Sequence, residues 1–270
     1  MGMVKGVRFD YHMHTPLCQH ATGHPREYVA AGRARGLDEI GFSDHNPMPT
    51  QFDQWRMAPE ELTRYLEMVE EARASAPGFP IRIGLECDFI PGYETHIRQL
   101  AEKYPWDYLI GSVHYVDDDW DVDSPFKRDL WKRHTVDAVW KKYFDRLEMA
   151  IESRLFDFIG HPDLVKKFGD RPEGDLKRFY LRTLDLMEAT GVAFEVNTAG
   201  WRKPVAEQYP DQAFLEEAFR RGIPVLVNSD AHAPEEVASG FHEAFALLHE
   251  VGYRSVVRFV GREAVLTPLG

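Results

Sequence analysis

The chain is poor in cysteine, has no long apolar run and carries no excess of positive charge. Its 270 residues include two cysteines, Cys18 and Cys87. That is too few for a disulfide framework, so a reducing cytoplasm is the default compartment. Cys87 reads as a packed thiol, because free cysteine is among the most buried residue types. No apolar stretch approaches the roughly 20 residues that cross a bilayer. The start, Met1-Gly2-Met3-Val4-Lys5-Gly6, leads into a strand-like run rather than a signal peptide. The net charge is −12, from 32 basic and 44 acidic residues. A broad nucleic-acid surface, which needs a basic face, is therefore not expected. A small anionic substrate stays compatible, because bound divalent metals would dominate the local potential. No linker or low-complexity tract divides the chain, so residues 1–270 read as one domain.

What the sequence does have is a strand-then-helix rhythm. The apolar fraction of 44% suits a large core. Strand-like runs occur at Val7–Tyr11, Glu39–Phe42, Ile81–Glu86, Tyr108–Val113, Asp157–Gly160, Val192–Val196 and Ile223–Val227. Pro59-Glu60-Glu61 opens a helix well, since proline suits the first turn and acidic side chains there oppose the dipole. Leu62, Tyr65, Leu66 and Val69 follow at helical spacing. A longer amphipathic helix is expected from Thr135 to Arg154. Another carries Phe214, Leu215, Ala218 and Phe219 on one face, with Gly222 as its C-cap. Alternating β and α elements imply a parallel sheet covered by helices, and seven repeats point to an α/β barrel of (β/α)7 type. A doubly wound open sheet would gather its site at one switch point instead. Ser255–Val260 reads as a strand outside the repeat. The polar stretch Val116–Arg133, with Asp117-Asp118-Asp119-Trp120-Asp121, reads as a loop over the pocket. Its acidic run is a solvated face before it is a ligand set.

Histidines and carboxylates cluster where these strands end. They fall in Asp10-Tyr11-His12-Met13-His14-Thr15, then at His20, in Ser43-Asp44-His45 and in Gly84-Leu85-Glu86. They continue in Gly111-Ser112-Val113-His114, Gly160-His161-Pro162 and Asn228-Ser229-Asp230-Ala231-His232. Seven of the twelve histidines lie at these exits. Imidazole and carboxylate are the usual ligands of Zn, Mn and non-haem Fe. His12 and His14 alternate along a strand and so point the same way. Either His114 or His161, taken singly, could be a core histidine satisfied by a carbonyl. Glu86 ends an apolar strand, where an unpaired carboxylate would be costly. It has two readings, a salt bridge with Arg82 or a carboxylate bridging two cations about 3.5–4 Å apart. The surrounding histidines favour the second. His24, His96, His134, His242 and His249 read as non-ligands.

Taken in order, these motifs resemble those of the polymerase and histidinol phosphatase (PHP) superfamily, from about residue 10 to residue 232. Each motif is weak alone and the set is specific. The resemblance implies a distorted (β/α)7 TIM-like barrel with two or three divalent transition metals, Zn, Mn or Fe, at its C-terminal face. Carried over by motif, the first metal falls to His12, His14, Glu86 and Asp230. The second falls to Glu86, His114 and His161, and the third to His20, His45 and His232. A finer likeness, to the histidinol-phosphatase branch, comes from four stretches. They are His14-Thr15-Pro16-Leu17-Cys18 with His20, the run Ser43 to Pro49, His161-Pro162-Asp163-Leu164 to Gly169, and Asn197-Thr198-Ala199-Gly200 with Arg202-Lys203-Pro204. Pro162 departs from the varied residues expected there and touches no ligand.

The resemblance implies hydrolysis of a small phosphomonoester, L-histidinol phosphate, by metal-activated hydroxide. No serine or cysteine with a matched base is evident, so no covalent intermediate is expected. Glu86, Asp44 and Asp230 are the catalytic candidates. Arg202 is the leading phosphate clamp, since guanidinium matches phosphate oxygens bidentately. Lys166, Lys167, Lys203 and Asn197 are further substrate-binding candidates. Asp44, Asp163 and the acidic loop from Asp117 are expected near the substrate ammonium. A PHP phosphoesterase acting on nucleotides or nucleic-acid ends would share the ligand set, and a non-catalytic metal-binding module is the remaining alternative. Oligomeric state is not legible.

Overall fold

The computed structural model describes residues 6–50, 52–117 and 119–269. The expectation about the first five residues, and the place of Asp118 in the acidic run, lie outside the described residues. The strands in chain order are β1 (Phe9–Asp10), β2 (Glu39–Phe42), β3 (Ile81–Asp88), β4 (Tyr108–Ser112), β5 (Tyr115–Asp117), β6 (Trp120–Asp121), β7 (Phe158–Ile159), β8 (Ala193–Asn197), β9 (Val225–Asn228), β10 (Ser255–Val260) and β11 (Glu263–Pro268). The helices are α1 (Pro25–Ala34), α2 (Leu62–Ser75), α3 (Glu94–Lys103), α4 (Arg128–Trp131), α5 (Val136–Glu152), α6 (Lys177–Thr190), α7 (Gln212–Arg220) and α8 (Phe241–Val251).

Seven parallel strands run β1-β2-β3-β4-β7-β8-β9. A parallel bridge between Met13 and Ala231, beyond the ends of β1 and β9, brings the two edges together. The sheet is thus a nearly closed, distorted (β/α)7 barrel. The longer helices turn most of their apolar positions inward, although Phe219, expected on the buried face of α7 with Phe214, Leu215 and Ala218, stays exposed. In α2, Leu62, Tyr65, Met68, Val69 and Ala72 are buried, and the Tyr65 hydroxyl donates to the Gly84 carbonyl at 2.8 Å. Thr135 caps α5 through the Ala138 N–H, and Gly222 (φ +68°) follows α7 in the left-handed conformation that its sequence position suggested. Inside the barrel, Tyr108 donates to the carbonyls of Tyr11 (2.6 Å) and Phe42 (3.1 Å). A Cβ at Gly84 would run into its ring, so glycine there makes room for the aromatic.

The antiparallel pair β10–β11 caps the opposite end of the barrel from the histidines. Phe259 stacks on Phe158 of β7, and Arg262 pairs with Asp157 at the start of β7 (2.9 Å). The stretch after β4 differs from the open polar loop expected of it. It folds into the β5–β6 hairpin and a short helix, with Trp120, Val122 and Trp131 buried. Apolar residues interleaved with the aspartates anchor it, a signal that the charge run obscured.

Candidate metal centre

Glu86, two residues before the end of β3, is 1% exposed and surrounded by imidazoles. Its Oε2 lies 2.8 Å from His45 Nδ1, 3.3 Å from His12 Nε2 and 3.5 Å from His14 Nε2. Its Oε1 lies 2.9 Å from His161 Nε2 and 3.8 Å from His114 Nε2. Asp230, after β9, puts Oδ1 3.4 Å from His14 Nε2 and 3.7 Å from His12 Nε2. Ligand atoms about 2.0–2.2 Å from a tetrahedral cation stand roughly 3.3–3.6 Å apart. The distances among His12, His14, Glu86 and Asp230 sit near that spacing, wider than normal hydrogen bonds. Buried His12 Nε2, His14 Nε2, His45 Nδ1, His232 Nε2 and Glu86 Oε2 make no hydrogen bond. Buried polar atoms without partners are costly, and a divalent cation satisfies them together. The donor set therefore fits metal.

Electrostatics prepare the same chemistry. Burial would push Glu86 up, but His45 and His12 beside it hold it well below the usual carboxylate range. Burial works against Asp230 too, and His12 and His14 hold it well below its ordinary value. Burial, with the charge of His14, drives His45 and His232 well below their ordinary values, leaving neutral rings with free lone pairs. His12 and His14 resist burial and are raised well above theirs by Glu195, Asp230 and Asp44. The carboxylates thus favour positive charge among these rings, whether proton or metal. Backbone strain also gathers here, since His161 (φ +26°) and Asp230 (φ +50°) both occupy the left-handed region.

The expected ligand sets come together in part. Of the first set, His12, His14 and Glu86 lie within ligand reach of one another, without Asp230; of the second, Glu86 and His114 do so with His45 in place of His161. For the third set, His20, His45 and His232 face one space, with ring centroids 5.6 Å (His20–His45), 4.5 Å (His20–His232) and 6.5 Å (His45–His232) apart. Within ligand reach, however, His232 groups with His14 and His45 on one side and with Cys18 and His20 on the other. His24, His96, His134, His242 and His249 join no such group among the described residues. Both thiols are free and buried; burial pushes the Cys87 thiol up, which suits packing.

The other candidates are distributed less as expected. Asp44 is buried behind His14, its oxygens bound by the Thr15 N–H and hydroxyl and 3.4 Å from His14 Nδ1. Packed there, it does not line the cavity over Glu86. Asp163 is buried against Lys166 (2.8 Å) and the Asp211 N–H. Neither side chain lines the cavity over Glu86. Arg202 is turned to the main chain: its Nη2 donates to the carbonyls of Ser229 (2.9 Å) and Asp230 (3.2 Å), and its Nε pairs with Glu236. The expected phosphate clamp is a brace on the Asp230 turn. Asn197 donates to Glu195 (2.8 Å) and Asp230 (3.1 Å) and caps the turn after β8. Lys167 does reach the cavity, 2.8 Å from Asp123.

That cavity, 460 Å³, opens over Glu86 and the histidines. Its wall includes Trp55, Asp121, Asp123, Phe126, Lys167 and Lys203. Trp55 meets His45 edge-on, with centroids 4.6 Å apart. Phe126, at the rim, is 96% exposed. Sequence reasoning passed over Trp55 and three buried charged residues behind the histidines. Glu195 accepts the Nδ1–H of His12 (3.0 Å), and Asp88 accepts that of His114 (2.6 Å), with Arg56 behind Asp88. A carboxylate two residues past Glu86 on one strand, and another buried in the apolar run of β8, were the available signals.

A nearly closed barrel whose strand ends converge on a buried carboxylate ringed by histidines defines a metal-dependent hydrolase. The PHP domain profile matches residues 10–199, and the chain belongs to that family. It is 42% identical over 249 residues to a Deinococcus radiodurans protein named "Probable histidinol-phosphatase", covering 92% of this chain and 95% of that one. It is 30% identical over 261 residues to the histidinol-phosphatase of Bacillus subtilis, covering 87% and 97%. In fold it matches histidinol phosphate phosphatase from Lactococcus lactis, crystallised with Zn, L-histidinol and phosphate. There the TM-score is 0.82 at 22% identity, over 96% of this chain and 98% of that one. Among the described residues no helix is long and apolar enough to cross a membrane.

Proposed function

We propose that this chain is a metal-dependent histidinol-phosphatase, hydrolysing L-histidinol phosphate to L-histidinol and inorganic phosphate in histidine biosynthesis. The observation that carries the chemistry is one buried carboxylate, Glu86, set among five imidazoles at the barrel mouth. The substrate follows from near full-length likeness to proteins bearing that name. Two to three divalent ions of Zn, Mn or Fe are the cofactors we assign. His12, His14, Glu86 and Asp230 would hold one, Glu86, His114 and His161 a second, and His20, His45 and His232 a third. Such ions would ionise water near neutral pH and neutralise the phosphate oxygens.

The protein's own groups orient the substrate. Lys203 and Lys167 are the cations on the cavity wall that can meet phosphate, in the place first given to Arg202. Asp121 and Asp123 stand where an ammonium would be drawn in. Trp55 adds aromatic surface to the cavity wall against which an imidazole ring could pack. Asp44, Asn197 and Arg202 act behind the ligands, keeping His14 and Asp230 in place.

A screen of phosphomonoesters and phosphodiesters, with L-histidinol phosphate included and metal content measured on the same sample, tests this reading. L-Histidinol phosphate should be the preferred substrate and chelation should abolish turnover. Rapid cleavage of nucleotides or nucleic-acid ends with L-histidinol phosphate ignored would refute the substrate and leave the metal chemistry standing.

A further inference from the structure

Behind His114 the buried polar groups continue for two more steps. Asp88 Oδ1 accepts the Nδ1–H of His114 at 2.6 Å, and its Oδ2 accepts from Arg56 Nη2 at 2.8 Å. Arg56 is 6% exposed and Asp88 1%. The same guanidinium donates through Nε to Asp53 at 2.7 Å and through Nη1 to the Asn46 carbonyl at 3.2 Å. Asn46 closes the circuit, its side-chain oxygen accepting the Asp88 N–H at 3.0 Å. The Trp55 ring lies 4.5 Å from the guanidinium carbon and turns an edge to His114, with centroids 5.2 Å apart. The segment leading from His45 to α2 is therefore fastened to the end of β3 through the carboxylate that aims His114.

Burying an arginine with two carboxylates is a poor way to gain stability, because apolar residues of similar volume often do as well or better. What the arrangement provides is direction. A carboxylate on Nδ1–H fixes the tautomer of a ligand histidine and leaves Nε2 free for metal. Arg56 in turn fixes which Asp88 oxygen faces His114.

We propose that Arg56 and Asp88 are positioning residues for the metal centre: Asp88 orients His114 toward Glu86, and Arg56 locks Asp88 while tying Trp55, on the cavity wall, to the same point. Occupancy at the His114 site and the shape of the substrate wall are then linked through one ion pair. The proposal rests on the metal reading of the cluster and is independent of which phosphomonoester is cleaved.

The test compares Asp88→Ala, Asp88→Asn and Arg56→Met by Zn²⁺ titration against a competing chelator, together with the melting temperature of each metal-stripped protein. Asp88→Ala should weaken the metal held through His114 by about 10- to 100-fold and Arg56→Met by roughly tenfold, with the metal at His12 and His14 little changed. Asp88→Asn keeps an oxygen for the Nδ1–H but turns its NH₂ toward Arg56, so it should lose about as much as Arg56→Met and less than Asp88→Ala. Melting temperatures lowered in Arg56→Met and Asp88→Asn, with every metal constant at the wild-type value, would overturn the proposal even if Asp88→Ala does not fold. A wild-type protein that takes up no Zn²⁺ would overturn it through the metal reading itself.

Discussion

Glu195, buried in the middle of β8, accepts the Nδ1–H of His12 at 3.0 Å. The remaining capacity of its carboxylate is filled by the His161 N–H (3.0 Å), Asn197 Nδ2 (2.8 Å) and Asn228 Nδ2 (2.7 Å). Both oxygens are thus met only by donors. Glu195→Gln must turn its NH₂ against one of them, whichever way the amide points. The expected cost is about 1–3 kcal/mol of stability and a loss of about 10- to 100-fold in affinity for the metal at His12. Thermal unfolding and chelator competition read the two effects. Wild-type metal affinity in Glu195→Gln would leave Glu195 a packing residue only.

Glu86→Ala should lose both activity and metal. Its two oxygens face different imidazoles, His12, His14 and His45 on one side and His161 and His114 on the other, so one deletion disturbs two coordination shells. Elemental analysis of wild-type protein should find two to three transition metals per chain, and the variant should retain less than half. Full activity of wild-type protein in excess chelator would end the multinuclear reading.

The barrel and the histidine–carboxylate cluster were legible because each left a periodic mark. Strand runs of β-branched residues repeated at regular intervals, and His or Glu recurred at the exits from Asp10 to His232. Side chains acting behind the ligands left no such mark. Glu195 looks like any charged residue in a strand, and Arg56 lies in a segment with no period at all. Arg202 was misplaced for a physical reason: guanidinium suits phosphate, but it suits two converging carbonyls equally well, and only the turn at Ser229–Asp230 decides between them. Asp121 and Asp123 were legible only as part of the acidic loop from Asp117, because its apolar neighbours Trp120 and Val122, which anchor it, were masked by the charge.

The third site can be tested by itself. His232 shares ligand reach with His14 and His45 and also with Cys18 and His20. His232→Ala should lower metal content by about one ion per chain while the ions at Glu86 stay. Unchanged metal content would reduce the centre to two metals, with the phosphatase reading intact.

Arg202 and Lys203 are adjacent, but the structure gives them different work. Arg202 braces the Asp230 turn, so Arg202→Ala should reduce metal content together with activity. Lys203 lines the cavity. Lys203→Ala should leave metal unchanged and lower kcat/KM by roughly one to two orders of magnitude, the effect of losing a charge-assisted contact of about 1.5–3 kcal/mol. Metal analysis beside kinetics separates the two. Full metal content in Arg202→Ala, with KM raised, would return Arg202 to the phosphate.

Asp123 supplies a pH-dependent test on the cavity wall. Burial would raise its carboxyl, but Lys167, 2.8 Å away, with His114 and His161 beyond, holds it at about 2. An ordinary aspartate in the unfolded chain titrates near 3.9. The folded state therefore binds the proton less readily than the unfolded state. The stabilisation is fully present above about pH 4 and is lost as pH falls through about 2. Asp123 is 19% exposed, so solvent screening keeps the contribution to at most about 2 kcal/mol. Asp123→Asn should then be less stable than wild type at pH 6, and the gap should narrow steadily between pH 4 and pH 2 in urea melts. A gap independent of pH would mean that Asp123 contributes shape and not charge. In kinetics at pH 7 the same variant should raise KM for an ammonium-bearing phosphomonoester more than for a neutral one, because it removes a carboxylate from the wall the ammonium approaches.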